Sequence, residues 1–513
     1  MFSRTLLATL IGTISFQTQA APAAKADPLA NTPYFNQTQS GFDLRFSPKN
    51  YRTLEATLNG ETIKFRAFEK IVYVQNPVEA DYQTLNVYVP EAYFQQGSVN
   101  GFNADNAPIF LPNAVGGYMP AKAEIYDEKG VDKPNAILIA LSKGYVVASV
   151  GARGRTLEKN GQYTGKAPAT IVDLKSAVRY LHFNDAVMPG DANKIISNGT
   201  SAGGALSALL GASGDSKDFA AYFQQLGAAE ASDRIFAVSA YCPITNLEHA
   251  DSAYEWEFNG LNKYRRMDMS RLNASSYNDR SQAAAKATIE GSLNSEEIAL
   301  SNQLKAAFPA YLNSLNLKDE NGKALTLDEN GEGSFKDYLK KVILRAANKA
   351  VQNGTDLSQT TWLTQDKNGV SEMDWNGYIH SEKRMKSPPA FDALNLSSGE
   401  NNLFGTEKIN NRHFTAFSFA NSKAEVNKAE LMADSQQIKL MNAMNYVETA
   451  PTQHWRIRVG TRDRDTSHAI GAILAVKLAM SGKSVDYETP WGIPHSGDYD
   501  LDELFQWADS ISR

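Results

Sequence analysis

The chain of 513 residues holds one cysteine, Cys242. A single thiol cannot close an internal disulfide, so stability has to come from a buried core, which this length permits. Long apolar runs are also scarce. The run Leu6 to Phe16 is too short to span a bilayer, and no later stretch approaches the needed length. Basic residues do not outnumber acidic ones, at 51 against 57, so there is no basic field for nucleic acid and neutral or weakly charged ligands fit better. No Cys/His cluster, H-E-x-x-H or P-loop pattern occurs, and neither a metal nor any other cofactor is expected.

What is present reads as a globular chain with one large core, or one core plus a substantial insertion. Met1-Phe2-Ser3-Arg4, the apolar run after it and Thr18-Gln19-Ala20 have the order of a signal peptide over residues 1–20, cleaved near Ala20. Export to the periplasm or medium is therefore expected. No cysteine follows the apolar run, so no lipid anchor is expected. Residues 21–50, rich in Ala, Pro, Asn, Gln and Ser, read as a loosely held arm. The single cysteine follows a buried-strand pattern, Ile235 to Tyr241, and reads as packing.

Strand patterns follow at Glu61–Phe68, Lys70–Val74 and Gln83–Val89, the first and third alternating as antiparallel hairpins do. Ile109–Pro112 and Tyr145–Val150 are instead continuous apolar runs, as in strands buried on both faces. Ile171 to Phe183 has helical spacing, and further strands are expected at Phe236–Tyr241, Trp455–Val459 and Val485–Glu488. This alternation predicts an α/β fold with a mostly parallel central sheet and helices on both faces. It stops over 246–400, a polar stretch with helix patterns near Ala283–Leu315 and Phe335–Ala350. That stretch reads as a large inserted lid domain, leaving 51–245 and 401–513 as the core.

Gly199-Thr200-Ser201-Ala202-Gly203 is a G-x-S-x-G between a β-branched run and a small-residue helix pattern. That context is the strand, sharp turn and helix of a nucleophile elbow, as in α/β-hydrolases. A serine hydroxyl needs a base to take its proton, and the base needs an acid to orient it. His495, in a loop between the last strand pattern and the closing helix pattern Leu501–Ile511, fits the base. His454 heads a strand and His468 begins a helix, so neither has that loop setting. The acid should follow Val459. Asp463 is preferred by position over Asp465, with Glu488 a distant third. The oxyanion hole is expected from the Ala202 N–H and from the loop Asn113–Tyr118, with Gly117 the candidate donor.

These residues resemble a known family. Gly-Thr-Ser-Ala-Gly-Gly at 199–204, Asp-x-Asp at 463–465, the interval of 32 residues from Asp463 to His495 (495 − 463), and Lys386 and Glu400 are similar to bacterial tannases. Those are secreted α/β-hydrolases related to feruloyl esterases, and the likeness covers most of the mature chain. It implies that Asp463 is the triad acid and that the family's galloyl-binding Lys, Glu and second Asp fall on Lys386, Glu400 and Asp465. Phenolic hydroxyls donate well to carboxylates and can accept from an ammonium, so that set is chemically apt. The lid departs from the family outside Lys386–Glu400. The fungal cysteines beside the serine and histidine are absent, with Thr200 and Ser496 in their places. The implied activity is hydrolysis of galloyl esters through an acyl-enzyme, on a small phenolic ester substrate. A feruloyl or general carboxylesterase is the alternative of the same fold, and a serine peptidase-like hydrolase a second.

Overall fold

The computed structural model describes residues 27–126, 135–268 and 287–513; the expected signal peptide, residues 1–20, lies outside them. The chain divides at Thr32/Pro33 into two compact units, and the second contains the sheet. Nine strands build that sheet: β1 Arg52–Leu58, β2 Glu61–Val72, β3 Thr84–Pro90, β4 Pro108–Pro112, β5 Val146–Val150, β6 Asp191–Thr200, β7 Ala237–Tyr241, β8 His454–Arg458 and β9 Ser484–Glu488. They lie in the order β9-β8-β7-β6-β4-β5-β3-β2-β1. The pairs from β9 through to β5 are parallel, and those joining β5, β3, β2 and β1 are antiparallel. This is the α/β-hydrolase fold, with helices on both faces.

The hydrophobic pattern follows position in the sheet. Every residue of the central strands β4, β5 and β7 is buried, whereas the edge strand β9, Ser-Val-Asp-Tyr-Glu, has none that is. Strands covered on both faces have no polar side to present, which makes the inner runs apolar but for the small serines Ser149 and Ser239. Helices α1 Ala136–Ser142, α2 Ala169–Phe183 and α3 Ala202–Ala212 make the early crossovers. All eleven residues of α3 are buried. The last helices, α9 His468–Met480 and α10 Leu501–Ser512, follow β8 and β9. The apolar face of α10 seats Phe505 on Phe110 and Tyr145, with ring centroids at 5.1 and 5.3 Å.

Several expectations are corrected. The two strands read at 61–68 and 70–74 are one, β2, with a register shift between Phe68 and Ile71 and Lys70 at φ +56°. A bulge of this kind breaks the alternation without ending the strand. Residues 33–50 of the arm are held: Asn36 bonds both backbone groups of Val72, and Phe46 N–H donates to Asn184 Oδ1 at 2.8 Å. Between β7 and β8 come α4 Leu247–Phe258, α5 Ser295–Ser314, α6 Ser334–Gln352, α7 Trp375–Glu382 and α8 Gly399–Leu403. Of the helix expected near Ala283–Leu315, positions 283–286 lie outside the described residues, and the described part holds a helix over Ser295–Ser314 whose first turn is fixed by an Asn294/Glu297 capping box. Before it Thr288–Ser292 pairs as a strand with Lys263–Met267. Positions 400 and 401, read as a lid boundary, both lie inside α8.

Going from β4 to β5 the chain moves one way along the sheet, and β6 then pairs on the other side of β4. The loops leaving β4 and β6 therefore diverge and open a crevice at the carboxyl ends of the strands. Ser201 stands at one lip and the loop from Asn113 at the other.

Candidate active site

The turn after β6 is held by sterics. Ser201 has φ +60° and ψ −121°, a conformation that costs a non-glycine residue of order 1–3 kcal/mol and persists only when its surroundings impose it. Here they do. A Cβ on Gly199 would lie 2.3 Å from the Gly203 carbonyl oxygen, and one on Gly203 would lie 2.6 Å from Asn113 Oδ1. The Asn113 amide donates to the Asn198 and Gly203 carbonyls at 3.1 and 3.2 Å, and lies 3.2 Å from Ser207 Oγ. Ser201 N–H donates to the Tyr241 carbonyl on β7 at 3.0 Å.

Two later loops reach this serine and are fastened to each other. Thr461 N–H donates to the Pro490 carbonyl and Arg462 N–H to that of Ile493, each at 3.0 Å, while Gly492 N–H donates to Thr461 Oγ1 at 2.8 Å. Gly497 is pressed onto Thr200, where an added Cβ would stand 1.8 Å from the hydroxyl oxygen. The result is a continuous row. His495 Nε2 lies 2.8 Å from Ser201 Oγ, and His495 Nδ1 lies 2.8 Å from Asp463 Oδ2. The network is consistent with Nδ1–H donating to the carboxylate and Nε2 accepting from the serine. Asp463 Oδ1 accepts the Asp465 N–H at 2.9 Å.

Of the three acids considered, the structure brings Asp463 to the histidine. Asp465 stays half-exposed beside it, and Glu488 turns away to Lys349 at 3.1 Å. Burial opposes charge on His495, but the carboxylate of Asp463, with Cys242 and Asp465 nearby, outweighs it and raises the imidazole well above its ordinary range. Asp463 is fully buried; burial alone would raise its carboxyl, but His495 and the Asp465 N–H hold it low.

Ala202 opens α3, so its N–H has no intrahelical acceptor and stands at the positive end of the helix. Across the crevice, Gly117 and Tyr118 both have positive φ, +53° and +56°. Arg155 grips this loop, its Nε donating to the Gly117 carbonyl and its N–H to that of Tyr118, both at 2.8 Å. The same guanidinium donates to Asn402 Oδ1 at 3.1 Å, tying the loop to α8, which carries Glu400. Glu400 lies close enough to Tyr118 for its charge to add to burial in raising that phenol's pKa. Lys386 sits with its ammonium 3.9 Å from the Phe391 ring centroid. Its backbone N–H donates to the Tyr254 hydroxyl at 3.1 Å, and that hydroxyl donates at 2.9 Å to the carbonyl of Arg464, between Asp463 and Asp465.

The sequence reading missed four features. Cys242 is buried as expected, yet it follows β7 with φ +40° and places its Sγ 3.9 Å from His495 Nε2. Its position just past the strand beside the elbow was the available signal. Among the described residues Cys242, Asp463 and His495 are a group whose possible metal-ligating atoms lie within 4.8 Å of one another, and two of the three are already bonded in the row. His468, set aside, is a fully buried imidazole whose Nδ1 lies 2.7 Å from Glu257 of α4 and whose Nε2 lies 3.0 Å from the Gly460 carbonyl. Despite burial, Glu257 and then Asp463 push it up to about 9. Tyr378 of α7 bonds the Thr461 carbonyl. A second row, Asp392, His413 and Ser422, has spacings of 2.6 and 2.9 Å.

The family profile described as BD-FAE matches residues 116–290. No curated protein sequence matches the chain. Among solved structures, tannase of Fusobacterium nucleatum is similar at 55% identity, over 92% of this chain and 100% of that one, with a TM-score of 0.88. Tannase from Lactobacillus plantarum is similar at 45% identity, over 92% and 99%, with a TM-score of 0.86. A tannin acyl hydrolase in complex with ethyl gallate is similar at 45% identity over the same shares, with a TM-score of 0.85.

Proposed function

This chain belongs to the tannase family, and from that premise we propose that it is a serine esterase hydrolysing galloyl esters through an acyl-enzyme. The observation that carries the reading is the unbroken row from Ser201 Oγ through His495 to Asp463. Ser201 attacks the ester carbonyl as His495 takes its proton. His495 then returns that proton to the leaving alcohol, and Asp463 stabilises the imidazolium. The Ala202 N–H, with that of Gly117, holds the oxyanion. Water deacylates the serine by the same steps in reverse and releases gallate.

Recognition of the acyl group falls to Lys386, Glu400 and Asp465. Ethyl gallate and 3,4-dihydroxybenzoate, bound by similar tannin acyl hydrolases, are small phenolics of the class those side chains suit. Residues 246–400 would serve as a lid over this site. The BD-FAE match favours a feruloyl esterase as the second reading. A panel of methyl gallate, methyl ferulate and phenyl acetate separates the two. The first reading expects the highest kcat/KM on the gallate, and a preference for ferulate would overturn it. Residues 1–20 are proposed as an export signal. Intact mass of the exported protein should begin at Ala21, and a chain retaining Met1 would contradict it.

A further inference from the structure

A tyrosine hydroxyl has one donor and two acceptor positions, and at Tyr254 all three are used. It donates to the Arg464 carbonyl at 2.9 Å and accepts from the backbone N–H of Met385 and of Lys386, each at 3.1 Å. Tyr254 lies on α4 and is fully buried. Arg464 separates Asp463 from Asp465, so one oxygen atom joins the backbone of the acid loop to the backbone of Lys386. The other side of that residue is pinned as well. Its carbonyl accepts from Arg384 Nε at 2.7 Å, and Arg384 is itself anchored by a buried ion pair with Glu255, one residue along α4 from Tyr254. The ring of Phe391 lies beneath the ammonium and meets Tyr254 edge-on at 6.4 Å. Held at N–H, C=O and side chain, Lys386 has little freedom left in which to miss its target.

We propose that Tyr254 is a positioning residue for acyl-group selection, its hydroxyl fixing where Lys386 stands relative to the loop of Asp463 and Asp465. The inference rests on the reading above that Lys386 contacts the phenolic hydroxyls of the substrate. Because the atom that holds Lys386 also holds the peptide next to Asp465, it sets the spacing between these two phenol-binding side chains. Removing that oxygen leaves two N–H groups without their acceptor and lets the Lys386 segment drift from the acid loop.

The test is a double-mutant cycle of Tyr254→Phe and Lys386→Ala, with kcat and KM measured on methyl gallate and on phenyl acetate. Tyr254→Phe should raise KM for methyl gallate about tenfold and for phenyl acetate by no more than about twofold. In the Lys386→Ala background the same change should cost no more than about twofold on either ester, since two residues acting through one contact are not additive. Additive losses, or equal losses on both esters from Tyr254→Phe, overturn the positioning role. If Lys386→Ala alone weakens both esters equally, it is the reading of Lys386 that fails, a different outcome from additivity. Hydrogen exchange on the wild-type enzyme keeps the question open to disproof should Tyr254→Phe not fold. The Met385 and Lys386 amides should then exchange at least about tenfold more slowly than unprotected peptide, and unprotected rates overturn the link.

Discussion

Ser201, His495 and Asp463 stand in a row with spacings of 2.8 and 2.8 Å; Ser422, His413 and Asp392 stand in another with 2.9 and 2.6 Å. By residue type and distance the two are alike. Their backbones are not. Ser201 sits in a turn at φ +60° that opens a buried helix, where free N–H groups face the crevice. Ser422 trails the short helix Ala416–Ala420, and its oxygen already accepts the Ala424 N–H at 3.2 Å. His413 and Asp392 are wholly buried, and Asp392 also accepts from Asn401, Phe414 and twice from Thr415. That carboxylate is a structural hub tying 392 to 415. The comparison teaches that residue type and spacing do not separate the two rows, and that on the proposed reading the donors and the opening around the serine are what would make one of them hydrolytic.

The comparison can be broken at either end. Ser201→Ala should lower kcat on methyl gallate by about 10⁶-fold, and Asp463→Asn by about 10⁴-fold through loss of the correct tautomer. Because Asp463 holds the His495 pKa up, the acidic limb of kcat/KM in the wild type should lie above the ordinary imidazole value of about 6.5. Below that limb the base is protonated and silent. A pH–rate profile with the limb at or under that value would remove Asp463 from the account.

A smaller effect is expected at His468, the third imidazole–carboxylate pair, which faces a carbonyl in place of a serine. Its folded pKa, about 9, lies above the unfolded value, so its stabilisation is full below about 6.5 and fades as pH rises through 9. Denaturant unfolding of wild type and His468→Gln should differ by about 3 kcal/mol at pH 6, and the gap should close toward pH 10. A gap that widens with pH contradicts the charged pair. Smallest of all, Ser422→Ala should leave kcat/KM within about twofold of wild type. A loss approaching that of Ser201→Ala would make the two rows equivalent after all.

How far sequence alone reaches follows from the range of each interaction. The elbow was legible because its cause is local: Gly199 and Gly203 are required by contacts four residues apart and by one asparagine. The parallel core was legible because strands buried on both faces must be largely apolar, and β4, β5 and β7 are, with only Ser149 and Ser239 interrupting them. By contrast, the link from Tyr254 to Arg464 spans 210 residues and that from Glu257 to His468 spans 211, and neither leaves a mark in any window of sequence. Ser422 and Asp392 flank a histidine that no motif distinguishes. Cys242 read as packing because burial and nearness to His495 have the same hydrophobic signature. The bulge at Lys70 split one strand into two because a lone positive φ is invisible in a pattern of alternation.

The serine precedes its histidine by 294 residues, and the acid arrives on the loop after β8. A ribosome that has delivered everything up to Tyr446 has already made the elbow, α3 and most of the sheet, but neither the proposed base, His495, nor the acid that orients it, Asp463. On the proposed mechanism the growing chain stays silent toward esters while Ser201 lacks these partners. On that mechanism reactivity waits for β9 and the loop to α10 to emerge, so the order of the chain separates making the nucleophile from arming it.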